Sequence, residues 1–129
     1  MSLNGSDGLL KRAWHRLGTT DEQMEAAELQ ESSRTAGATA IDHCDCGEIV
    51  TVSGPLRSVT LRPVEGVPSV EAEIYDGSGH ISLLWMGRRR IAGIEPGRVL
   101  TATGRLADKD GRRVIFNPRY ALRATQVSE

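Results

Sequence analysis

The sequence predicts an all-β chain of five strands behind an N-terminal helical extension, and three observations carry that prediction. Residues 70–87, VEAEIYDGSGHISLLWMG, alternate apolar and polar side chains on both sides of a glycine-rich turn. A second pair of strand-like runs, residues 98–104 and 111–116, flanks the turn Asp108-Lys109-Asp110-Gly111. Ahead of both, residues 48–61 carry Val50, Val52, Val59 and Leu61 along one extended stretch.

From the N-terminus, residues 6–17 predict a short helix. Ser6 or Asp7 caps it, Leu10, Ala13, Trp14 and Leu17 share a face, and Gly18 ends it. A second helix opens at Thr20. Gln23 stands at the capping-box position, and Asp21 and Glu22 fill the first turn, where the helix dipole favours negative charge. It fades at Ser32-Ser33. Its apolar face, chiefly Met24 and Ala27, is too weak to stabilise an isolated helix. These helices are therefore the expected contact for a protein partner or a homo-oligomer. Residues 35–40 are small and read as a linker, so the chain divides into a helical extension, 1–46, and a barrel, 47–129.

His43-Cys44-Asp45-Cys46 contains four side chains able to ligate a metal. Structural zinc needs a second Cys or His pair, and none follows, so no metal is expected. A Cys44–Cys46 disulfide would close a strained ring. One of the two cysteines is expected as a small buried residue at the entrance to the barrel.

The first strand is interrupted at Ser53-Gly54-Pro55, where a bulge or a sharp coil is expected because proline cannot donate to a sheet ladder. In the hairpin, Val70, Ala72 and Ile74 alternate with Glu71, Glu73 and Tyr75, the period-two pattern of a half-buried strand. Asp76-Gly77-Ser78-Gly79 supplies the turn, since glycine tolerates positive φ and aspartate bonds its own downstream backbone. Ile81, Leu83 and Trp85 resume the alternation. Residues 88–94 allow a turn or two of helix before the fourth strand.

In this order and spacing, Val52-x-Gly54, Asp76-Gly77-Ser78-Gly79-x-Ile81-x-Leu83, Gly97-x-Val99-x-Thr101-x-Thr103-Gly104 and Asn117-Pro118 make residues 47–123 resemble an OB-fold nucleic-acid-binding domain. The likeness lies near the anticodon-binding-type group and the wedge domain of the RecG branch-migration helicase. It implies a five-stranded Greek-key barrel. It also implies a ligand face on strands two and three, flanked by the loops joining strands one–two and four–five.

Composition bounds the function further. The net charge of −1 conceals an asymmetry: through Cys46 eight acids face four bases, whereas from Gly47 onward twelve bases face nine acids. The barrel is thus mildly basic, and its cations are nearly all arginine, whose planar fork suits phosphate. No apolar run approaches the ~20 residues needed to span a bilayer, and no signal peptide is apparent, so a cytoplasmic protein is expected. No nucleophile elbow, phosphate-cradling loop or paired acid and base is present. The chain is therefore expected to be non-enzymatic and without cofactor.

On the implied ligand face, Arg57 and Arg62 border the first loop, Arg112 and Arg113 follow the second, and Arg88, Arg89 and Arg90 leave the third strand together. These are the expected phosphate contacts. Tyr75 points outward and is a candidate ring for base stacking. Trp85 is in register with Ile81 and Leu83, which makes it core unless a bulge reverses the parity and turns it into a stacking platform. Phe116 alternates with Val114 and is expected in the core. The sequence thus favours a single-stranded nucleic-acid binder of low sequence specificity, DNA or RNA. The alternative is a protein-interaction module, favoured by Glu71 and Glu73 on the same face and by the scarcity of rings.

Overall fold

The computed structural model describes residues 17–123. A helix, α1 (Leu17–Thr35), leads through a single 3-10 turn (Ile41–His43) into six strands: β1 (Ile49–Val64), β2 (Val67–Tyr75), β3 (His80–Met86), β4 (Val99–Lys109), β5 (Arg112–Phe116) and β6 (Arg119–Leu122). β1, β2 and β3 form an antiparallel meander, β3 runs parallel to β5, and β5 pairs with β4. β4 then returns to β1 and closes a ring of five strands. This is the Greek-key barrel of the OB-fold.

β1 serves two neighbours. Residues 49–55 pair with residues 105–99 of β4, and from Leu56 onward the strand pairs with β2. At the changeover the backbones nearly touch: a Cβ on Gly54 would lie 2.2 Å from the Tyr75 carbonyl oxygen. Only glycine fits that crossing. The register slips not at Pro55, as the sequence suggests, but two residues later at Arg57, between the pairs Leu56–Ile74 and Ser58–Glu73. Gly54 and Pro55 remain in the β4 ladder.

The fifth strand of the sequence reading is broken in two. Asn117 takes a positive φ of 51° and Pro118 follows, so β5 stops and β6 resumes along β4 at Leu100–Thr103. Asn117 secures the break by donating its N–H to Leu84 O at 2.7 Å and accepting the Met86 N–H at 3.0 Å. The helix expected in residues 88–94 is replaced by turns that tuck Ile91 and Ile94 into the core. Alternation fills the barrel as expected: Val52, Ile74, Ile81, Leu83 and Leu100 are fully or almost fully buried.

The helix predicted over residues 6–17 lies outside the described residues, save its last position. Leu17 and Gly18 belong to α1, so Gly18 is not a stop. α1 rests on the β2–β3 turn. Gln30 donates to Gly77 O at 3.0 Å, and Gly77, at φ +90°, approaches so closely that a Cβ there would lie 2.2 Å from Ala26 O. Arg123 ties the helix to the other end of the chain by donating to Ser32 Oγ at 3.1 Å. Ahead of β1, Ile41 and Cys44 already belong to the hydrophobic core that the barrel strands fill.

Candidate functional site

The outward side chains of β2, β3 and β5 make one continuous face. Register aligns Glu71, Leu84 and Phe116 in one row across the three strands, and Glu73, Ser82 and Val114 in the next. Leu84 and Val114 therefore point away from the barrel interior, opposite in parity to Leu83 and Ile115, yet both are buried. They form the apolar floor of a cavity of about 170 Å³, with Val64 at the β1–β2 end and Lys109 at the β4–β5 loop. A second, wider cavity of about 560 Å³ continues toward the β2–β3 turn past Ser58, Glu73 and His80. Glu71, Ser82 and Arg112 line both.

Two of the expected phosphate contacts meet here around one carboxylate. Arg62 donates to Glu71 Oε1 at 2.8 Å, and Arg112 donates to Glu71 Oε2 and, at 3.2 Å, to Ser82 Oγ. Both guanidinium groups are about half exposed, whereas the Glu71 side chain is 14% exposed. Across the cavity mouth, Lys109 Nζ stands 4.0 Å from a Glu65 carboxylate oxygen, linking the two loops that flank the face.

The remaining candidates divide three ways. Arg57, the bulge residue, lays its guanidinium over the Tyr75 ring, 4.1 Å from the centroid, a cation–π contact at the β2–β3-turn end of the face. Arg113 lines the wider cavity but also donates to Cys44 O at 3.0 Å, so it anchors the entering chain. Arg88, Arg89 and Arg90 are exposed at the opposite end, beyond Met86, and line neither cavity. Gly87 N–H, bonded to Pro68 O at 2.7 Å, holds their point of departure next to the start of β2. Among the described residues the three form no ion pair and no side-chain hydrogen bond.

Trp85 is not a platform. β3 pairs without a slip, so its parity holds and Trp85 is 6% exposed in the core. Its indole N–H donates to Pro118 O at 3.1 Å, and its ring packs edge-on against Tyr120, centroids 5.6 Å apart. Phe116 shows the reverse correction. It shares the outward parity of Leu84 and lies half-buried on the candidate face rather than in the barrel.

The sequence alone places Glu71 on the outward face but assigns no role there to Ser82, Leu84 or Val114. The available signal was the pair of apolar doublets, Leu83-Leu84 and Val114-Ile115. In a one-sided strand such a doublet places an apolar side chain on the polar face.

Of the two cysteines, Cys44 is buried at the barrel entrance and Cys46 is exposed; both are free thiols. Burial pushes the Cys44 thiol above its usual range, against the opposing pull of Arg113. Among the described residues no group of three or more His, Cys, Asp or Glu side chains is placed to hold a metal ion. No helix among them is long and apolar enough to cross a membrane.

No protein-family model matches the chain, and no curated protein matches it. Among solved structures, a chain of a replication protein A heterotrimer bound to ssDNA is similar, at 16% identity and a TM-score of 0.49, over 70% of this chain and 75% of that one.

Proposed function

We propose that this protein binds single-stranded nucleic acid, with low sequence specificity and without catalysis, along the outward face of β2, β3 and β5. The carrying observation is the apolar floor of Leu84 and Val114 set between the forks of Arg62 and Arg112. Such a floor accepts the flat face of a base, while the two guanidinium groups lining the same cavity offer donors to the strand's phosphates. Their pairing with Glu71 does not remove them from use. Each guanidinium is about half exposed and has five donors, so a phosphate can bind beside the carboxylate without displacing it. Arg88, Arg89 and Arg90 extend the cationic track past Met86.

Within the OB-fold proteins, a single-strand binder of the anticodon-binding type suits this face better than a junction wedge. Trp85 is spent in the core, where it packs edge-on against the partly buried Tyr120. Fluorescence polarisation with labelled oligonucleotides at low and moderate salt tests the proposal. Binding should weaken steeply with salt, because bound arginines release counterions. Absence of binding at low ionic strength overturns it.

A second reading, an adaptor that docks a protein, is favoured by the acids of the same region. Glu71 and Glu73 bring negative charge onto the face, and α1 presents Met24 with Asp21, Glu22 and Glu25 to solvent. A cytoplasmic partner or a second copy would then dock on the helix. Sedimentation of the free protein separates self-association from a monomer awaiting another chain.

A further inference from the structure

Resting on the single-strand reading above, we infer that the cavity over Leu84 and Val114 receives one base of the strand and selects guanine, through Glu71 and Ser82. An ionised carboxylate offers about four lone-pair sites. Glu71 gives one on Oε1 to Arg62 and one on Oε2 to Arg112, which leaves one on each oxygen. Two adjacent acceptors of the same kind call for two adjacent donors. Of the four common bases, guanine alone presents them on its Watson–Crick edge, as N1–H beside the N2 amino group. Adenine, cytosine and uracil or thymine each set an acceptor next to a donor there.

Ser82 completes the match. Its Oγ accepts from Arg112 at 3.2 Å, so its own O–H is left to donate. The acceptor beside guanine N1–H is O6, which takes that proton. Arg112 bonds both Glu71 and Ser82 and so fixes the two reading groups side by side.

The surroundings strengthen the choice. The cavity, about 170 Å³, opens into the wider one beside it, so a base seated over Leu84 and Val114 reaches Glu71, Ser82 and Arg112, which line both. Glu71 is 14% exposed, so the hydrogen bonds it makes are only partly screened by water. A base that turned a lone pair toward this carboxylate would leave buried acceptors facing each other, which is how polar sites reject near relatives. Selection at this single position is compatible with tolerance elsewhere along the strand, where contacts go to phosphates and ring faces.

The test uses the full chain and host strands of about 12 thymidines or uridines. One central residue is replaced by guanine, adenine, cytosine or hypoxanthine, and affinity is read by fluorescence polarisation at low salt. A single guanine should tighten binding about fivefold to tenfold over the other bases. Hypoxanthine, which lacks the N2 amino group, should lose most of that gain. Glu71→Gln, which sets one acceptor beside one donor, should abolish the guanine preference, read as the ratio of guanine-containing to host-strand affinity within that variant. If that variant does not fold, the guanine–hypoxanthine comparison on the unaltered protein decides the matter alone. Equal affinity for all bases, or a guanine preference that survives Glu71→Gln, overturns this inference and leaves single-strand binding standing. No binding to either host overturns both.

Discussion

The carboxylate of Asp76 accepts the backbone N–H of Ile41 at 2.8 Å, and neither residue is reached by solvent. The other carboxylate oxygen takes three further donors, the N–H groups of Ser78 and Gly79 and the Ser78 hydroxyl, at 2.7–3.1 Å. One buried side chain thus shapes the β2–β3 turn and pins the entering chain to it. Asp76→Ala would leave these backbone donors without their partner in the interior, at a cost of about 3 kcal/mol. Urea denaturation should show a lower midpoint with an unchanged slope. A midpoint within error of the unaltered protein would refute this account of the turn.

Gly77 carries the contact with α1. An alanine there meets the Ala26 carbonyl oxygen and is strained at φ +90° as well. Gly77→Ala should lift the helix from the turn at a cost of about 1–3 kcal/mol. Hydrogen exchange should then show the α1 amides losing protection while those of β2 and β3 keep theirs. Equal loss in both would mean that helix and barrel unfold as one unit.

Arg88, Arg89 and Arg90 make a separable contribution to binding. Replacing all three by alanine should reduce the slope of log affinity against log salt by about 2, given ~0.7 per phosphate contact on a single strand. Because their side chains are exposed and outside the core, the thermal midpoint should stay where it is. An unchanged slope would place the strand elsewhere.

The buried thiol of Cys44 gives a pH dependence of known sign. Burial raises its folded pKa above the unfolded value, so the stability it supports is complete well below the ordinary thiol range and is lost as pH rises through and beyond it. The stability of the unaltered protein relative to Cys44→Ala should therefore fall between pH 7 and pH 10. Native alkylation should label exposed Cys46 well before Cys44. Equal labelling rates would show that the barrel entrance opens readily.

The strands were legible because each buries one face, which forces period two upon residues such as Val70, Ala72 and Ile74. What alternation does not encode is where one strand hands over between neighbours. The slip at Arg57 depends on the Gly54–Tyr75 crossing, a contact between residues 21 positions apart in sequence. The break at Asn117 likewise depends on β3 groups that only the folded sheet brings alongside. For the site, the arginines were visible as residue types, but their partners were not. The carboxylate that joins Arg62 to Arg112 lies on a different strand from either. Trp85 was open in the sequence because one inserted residue reverses parity; the uninterrupted register of β3 decided it.

The double service of β1 has a kinetic meaning. Its first half waits for residues 99–105, some fifty positions downstream, while its second half finds β2 at once across a two-residue turn. Ring closure is thus the distant, entropically expensive event, and local hairpin zippering precedes it. On a ribosome, a nascent chain that has emerged only through β3 would expose the bare flank of residues 49–55, an invitation to mispairing that ends when β4 arrives.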